Sequence, residues 1–110
     1  YGRRGVVAQE DVDAYWAATQ FPDFLAAVRQ ALIDFDWRPL TPETLACIAT
    51  PTLVIFGTRD RTVRPVHAEE FVGRLARGTL RWIRDAGHVA NEEVPDEVNP
   101  LLVEFIAGNQ

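Results

Sequence analysis

Apolar residues follow two different rhythms along this chain. Up to about Ala49 they recur at helical spacing and carry no strand signal: Phe21, Phe24, Leu25, Val28 and Leu32 stand at i, i+3, i+4, i+7 and i+11, one face of a helix. Pro22 is expected in that helix's first turn, where a missing N–H costs nothing. The stretch from Asp34 to Pro39 breaks the pattern. Thr41-Pro42-Glu43 then supplies an N-cap, a first-turn proline and an acid, which predicts a short helix to about Cys47.

After Ala49 the rhythm changes. Thr52-Leu53-Val54-Ile55-Phe56 is a continuous apolar run between Pro51 and Gly57, the pattern of a parallel strand buried on both faces. Ala68, Phe71, Val72 and Leu75 predict a helix from about Pro65. Glu69 and Glu70 near its start and Arg74 and Arg77 near its end would complement the helix dipole, with Gly78 as its C-terminal cap. A second strand is expected over about Thr79 to Arg84, its arginines marking it as an edge. Strand, helix and strand in that order form a βαβ unit with parallel strands. Val98, Leu101, Leu102 and Phe105 predict a closing helix. It either starts near Pro95, with Pro100 removing an interior hydrogen bond and kinking it, or starts at Asn99 with Pro100 as a harmless first residue.

In open α/β sheets ligands bind beyond the carboxyl ends of the strands. Two polar groups leave those ends: Gly57-Thr58-Arg59-Asp60 after the first strand and Asp85-Ala86-Gly87-His88 after the second. Neighbouring parallel strands lie about 4.8 Å apart, close enough for their loops to join a carboxylate to an imidazole. In such a pair the carboxylate fixes the tautomer, and the far ring nitrogen serves as general base toward a nucleophile. Asp85 lies too near His88 in the chain to orient it across a cleft and is expected to shape the loop. His67 is expected as an exposed helix residue, and Cys47 as a small packed hydrophobe. Arg59, Arg61 and Arg64 are expected as solvated charge around a turn, with attraction of an anionic substrate as the alternative.

Composition narrows the classes. Of 110 residues, 47% are hydrophobic and 25% charged, an ordinary globular balance. The net charge of -5 argues against nucleic-acid binding, and a single cysteine rules out an internal disulfide and a zinc cluster. No apolar run approaches the roughly 20 residues of a membrane span. The opening Tyr1-Gly2-Arg3-Arg4-Gly5 lacks the apolar core of a secretory leader, so a cytoplasmic location is expected. The chain contains neither methionine nor serine. It is therefore expected to be cut from something longer, with any serine nucleophile outside these residues.

The segment Pro51-Thr52-Leu53-Val54-Ile55-Phe56-Gly57-Thr58-Arg59-Asp60, then Ala86-Gly87-His88, then Glu92-Glu93-Val94-Pro95 with an amphipathic helix, resembles the C-terminal part of an α/β-hydrolase. The resemblance covers about Ile48 to Gly108 and implies Asp60 as triad acid and His88 as triad histidine, in the family's order of nucleophile, acid, histidine. It implies an α/β fold of two parts: residues 1–47 as a helical segment like the end of a cap domain, and residues 48–110 as a βαβ unit with its closing helix. Tyr15, Trp16 and Phe21 in the first part, and Val89 and Ala90 after the histidine, are candidates to line a substrate pocket. No cofactor or metal is implied. The nucleophile elbow and the oxyanion loop are both missing, and Pro100 interrupts a helix usually unbroken in the family.

The expected activity is hydrolysis of small esters or related substrates. An aspartate nucleophile, as in a dehalogenase or epoxide hydrolase, would use the same two residues. The alternative outside enzymes is a non-catalytic fragment or interaction module. Either way the exposed sheet edge implies a need for the missing N-terminal half or a partner chain.

Overall fold

A computed structural model describes residues 1–3 and 7–109, so Arg4 and Gly5 of the opening stretch lie outside the described residues. The elements run α1 (Gln9–Thr19), α2 (Phe24–Asp34), α3 (Pro42–Ala46), β1 (Thr52–Gly57), α4 (Pro65–Val72), β2 (Gly78–Ile83), α5 (Ala90–Glu93) and α6 (Pro95–Ala107). They divide into two compact units, residues 7–39 and residues 1–3 with 40–109.

In residues 7–39, α1 and α2 touch each other and bury nothing fully. Asp11 reaches back to the Ala8 N–H at 2.8 Å, one half of a capping box at the start of α1. The expected α2 is present, but its periodic face is open: Phe21, Leu25 and Leu32 are all exposed. Pro22 sits in the turn ahead of the helix, not in its first turn, because Asp23 is the N-cap.

Residues 40–109 begin with α3, where the Thr41 hydroxyl accepts from the Thr44 N–H at 3.2 Å as its capping sequence predicts. Cys47 closes this helix and is exposed, contrary to the packed role expected of it. β1 and β2 form a parallel two-stranded sheet, with Thr52 opposite Gly78 and Gly57 opposite Ile83. β1 is half-buried along most of its length, not buried throughout, since among the described residues only β2 pairs with it. Phe56 and Trp82, direct partners in the ladder, meet edge to face at 5.9 Å.

α4 is shorter than its apolar spacing predicts. It caps at Gly73, and Leu75 is buried in the following turn while Gly78 opens β2. Glu69 and Glu70 therefore fall beyond the first turn and Arg74 and Arg77 beyond the last, so the expected dipole complement is absent. A helix of eight residues simply ends before its charges reach the right positions. α6 starts at Pro95 and runs through Pro100, which settles the choice between the two starts. Asp96, whose carbonyl loses its helical donor to that proline, is exposed, so water can replace the bond.

The core lies under one end of the sheet. Ile83, Ala86, Ala90 and Val98 are buried together, with Ile55, Val94 and Leu101 packed against them. Ala86 and Ala90 bracket His88, so the loop that carries the histidine is itself pinned to the core.

Candidate active site

Asp60 stands three residues beyond the end of β1 and His88 five beyond the end of β2, and the level register of the strands brings the two loops side by side. Backbone bonds join them. Thr58 N donates to the Ile83 carbonyl at 3.0 Å and Arg59 N to the Ala86 carbonyl at 2.8 Å, while Asp85 N donates to the Thr58 hydroxyl at 2.8 Å. Gly57 permits this approach: a Cβ there would overlap the carbonyl oxygens of Ala86 and Gly87. Asp85 adopts a left-handed φ of 62° and pairs with Arg59 at 2.8 Å, the loop-shaping role expected of it.

The Asp60 carboxylate is used on both oxygens. Oδ1 accepts from the Thr62 and Val63 N–H groups at 2.8 and 2.9 Å, and Oδ2 meets His88 Nδ1 at 2.8 Å. Burial pushes the Asp60 carboxyl upward, but the bond from His88 and the two backbone donors outweigh it and hold the group below its ordinary value. An ionised carboxylate has no proton to give, so His88 Nδ1 is the donor and a neutral ring keeps its lone pair on Nε2. The Asp60 side chain is 3% exposed and that of His88 49%. The pair is anchored at the acid and open at the histidine.

The other candidates fall elsewhere. Val89 caps α5 beside the histidine and is half-buried. Tyr15 and Trp16 are exposed residues of α1 in the 7–39 unit. His67 is an exposed helix residue whose Nδ1 lies 3.3 Å from Glu70. A cavity of about 750 Å³ opens beside Asp60, walled by Tyr1, Gly2, Arg3, Arg59, Arg61 and Asp85 as well. Its arginine charge is largely answered locally, since Arg59 pairs with Asp85 and Arg3 with Glu97. Among the described residues no three His, Cys, Asp or Glu side chains gather as a metal site. No helix among them is long and apolar enough to cross a membrane.

One buried group stands in the sequence only as part of the segment Glu92-Glu93-Val94-Pro95, with no role of its own. Glu93 is 6% exposed at the base of the His88 loop, although it is one of two adjacent glutamates in a polar stretch. The segment gives this glutamate no role, and only packing reveals one.

The sequence pattern of the alpha/beta hydrolase family matches residues 1–101. The chain belongs to that family. Epoxide hydrolase B of Mycobacterium tuberculosis is 35% identical over 80 residues, covering 69% of this chain and 22% of its own length. A 2-hydroxy-6-oxononadienedioate/2-hydroxy-6-oxononatrienedioate hydrolase of Klebsiella pneumoniae is 35% identical over 60 residues, 54% of this chain and 21% of that one. Among solved structures, CarC, a serine hydrolase involved in carbazole degradation, superposes with a TM-score of 0.80 over 92% of this chain and 40% of its own, at 19% identity. The likeness to CarC is one of fold. This alpha/beta hydrolase chain spans about a fifth of the length of each of these two curated relatives.

Proposed function

We propose that this chain supplies the acid and the histidine of a hydrolase triad acting on small esters or related substrates, with the nucleophile contributed from outside these residues. The observation that carries the reading is the 2.8 Å contact between a buried, ionised Asp60 and a His88 ring half open to solvent. In this scheme His88 Nε2 takes the proton of the attacking hydroxyl as the new bond to the ester carbonyl forms. It returns that proton to the leaving alkoxide, and a water, deprotonated by the same nitrogen, then releases the acid. Asp60 stays ionised throughout and stabilises the imidazolium between the two transfers. Val89, next to His88, lines the substrate pocket, and residues 7–39, with Tyr15 and Trp16, act as the end of a cap. The 110 residues work together with an N-terminal half or a partner chain, and alone they hydrolyse no ester above background.

A second reading keeps both residues and replaces the hydroxyl by an aspartate. It is favoured by the 35% identity to an epoxide hydrolase across 69% of the chain. His88 then activates water against an ester formed on the enzyme.

The test uses the protein encoded by the whole reading frame around this chain. A p-nitrophenyl ester and a simple epoxide serve as substrates, and one turnover is run in ¹⁸O-water. A burst of p-nitrophenol with a trapped acyl-enzyme from the ester marks a hydroxyl nucleophile; label retained on the enzyme after the epoxide turnover marks an aspartate. Turnover that survives His88→Ala at an undiminished rate rejects both readings.

A further inference from the structure

Glu93 takes no part in the relay just described, yet the residue is as buried as Asp60. Oε1 accepts from the Gly87 N–H at 2.6 Å, and Gly87 is the residue immediately before His88. Oε2 accepts from the Arg3 N–H at 3.0 Å and also from the Gly2 N–H. One carboxylate therefore joins the histidine loop to a segment some ninety residues away in sequence. Burial alone raises the Glu93 carboxyl, but the donors from Arg3, Gly87 and Gly2 outweigh it and keep the group ionised below its ordinary range.

The surroundings are built around this junction. A Cβ at Gly87 would overlap the backbone of Tyr1 and Gly2, and a Cβ at Gly2 would lie 2.6 Å from the Asp85 carbonyl oxygen and the Gly87 nitrogen. Both backbones must be bare for one carboxylate to reach donors on each. The Arg3 guanidinium extends the contact, donating to the Arg84 carbonyl at 2.7 Å and pairing with Glu97 at 2.8 Å. The loop from Arg84 to His88 is thus gripped between the strand ends on one side and residues 1–3 on the other.

We propose that Glu93 is a positioning residue that fixes the height and orientation of His88 by tying the Gly87 N–H to residues 1–3. The proposal rests on the reading of Asp60 and His88 as a triad pair. A carboxylate accepts on both oxygens, whereas a glutamine of the same shape presents an N–H₂ to one set of donors. Glu93→Gln therefore pushes either Gly87 or the 1–3 segment away. The loop shifts and the Nδ1–Oδ2 bond to Asp60 is lost, while the core under the loop stays packed.

Nuclear magnetic resonance of the protein encoded by the whole reading frame around this chain tests this through the His88 ring. In the unmodified protein the Nδ1 proton gives a downfield signal protected by Asp60. The expected result is loss of that signal in Glu93→Gln, with the methyl shifts of Ile83 and Val98 retained and Glu104→Gln unaffected. Retention of the Nδ1 signal in Glu93→Gln, together with its loss in Asp60→Asn, overturns the positioning role and leaves the triad pair standing. Retention in Asp60→Asn overturns the pair beneath it. Should Glu93→Gln not fold, amide exchange in the unmodified protein decides. Gly87 and Arg3 amides are expected to be protected near neutral pH and to lose protection before the β1 amides as pH falls. Exchange at both positions at free-peptide rates near neutral pH removes the proposal.

Discussion

Residues 40–109 and residues 7–39 both carry apolar residues at regular spacing, and they put them to different use. In the first, Ile83, Ala86, Ala90 and Val98 close into a core directly beneath the His88 loop. In the second, no described residue is buried: Trp16, Phe21, Leu25 and Trp37 are between 66% and 78% exposed. Full burial of such side chains is worth about 1.5–3 kcal/mol each, which this unit forgoes. Two 11-residue helices without a core are marginal in water, because nucleation cost is recovered only slowly along a short helix. A periodic face thus predicts a helix without predicting that its face is covered.

The contrast is sharpest in catalysis. In the whole protein, Asp60→Asn is expected to lower kcat by about 10⁴-fold, since the histidine loses its tautomer and its counter-charge. Trp16→Ala, in the other unit, should act mainly on KM. Steady-state kinetics on the two variants would break the comparison if their effects on kcat matched. Stability comes next. Ile83→Ala empties a site 3% exposed and is expected to cost about 2–5 kcal/mol, against no more than about 0.5 kcal/mol for Leu25→Ala at 78% exposure. Urea denaturation followed separately by region reads both, and equal losses would mean that Leu25 is buried in solution.

Acid should narrow the gap between the regions. Asp60 and Glu93 are held below their ordinary values in the fold, so their contribution is fully present above the unfolded carboxylate range near about 4. It disappears as pH falls through the lower folded values. Amide protection relative to the free-peptide rate across β1 and β2 should therefore fall below about pH 4, and protection unchanged down to the lowest folded pH would contradict the assignment of both carboxylates as ionised anchors. The smallest effect is expected at Asp36 and Arg38, a pair at 2.8 Å on the surface of the 7–39 unit. Arg38 lowers the Asp36 carboxyl through its side-chain and backbone bonds, yet both groups are open to water. Arg38→Ala should leave the thermal midpoint unchanged, and a measurable drop would give this unit a structural tie that its exposure does not suggest.

Much of the scaffold is legible in the sequence. The run from Thr52 to Phe56 and the alternation of Leu80 and Trp82 mark the two strands, and the helix between them requires that they run parallel. Thr41-Pro42-Glu43 marks α3 because capping is local chemistry. Helix ends were less legible. Leu75 continues the apolar spacing of α4 although the chain has already turned at Gly73, since burial follows position in space and not helical phase. The same limit explains Cys47, whose exposure depends on what lies opposite it.

For the candidate site, Asp60 and His88 could be named because each follows a recognisable strand end, and the family of the chain follows from the same motifs. Sequence determined the residue types, their order along the chain and the strands that carry them, because these rest on local pattern and on short connections. Only the tertiary structure decided that Asp60 is buried with both oxygens satisfied, that His88 is half open, and that Glu93 reaches across to Gly2 and Arg3. Those are long-range contacts. Their partners lie 28 and about 90 residues apart, and no local periodicity records which distant backbone a buried carboxylate will meet.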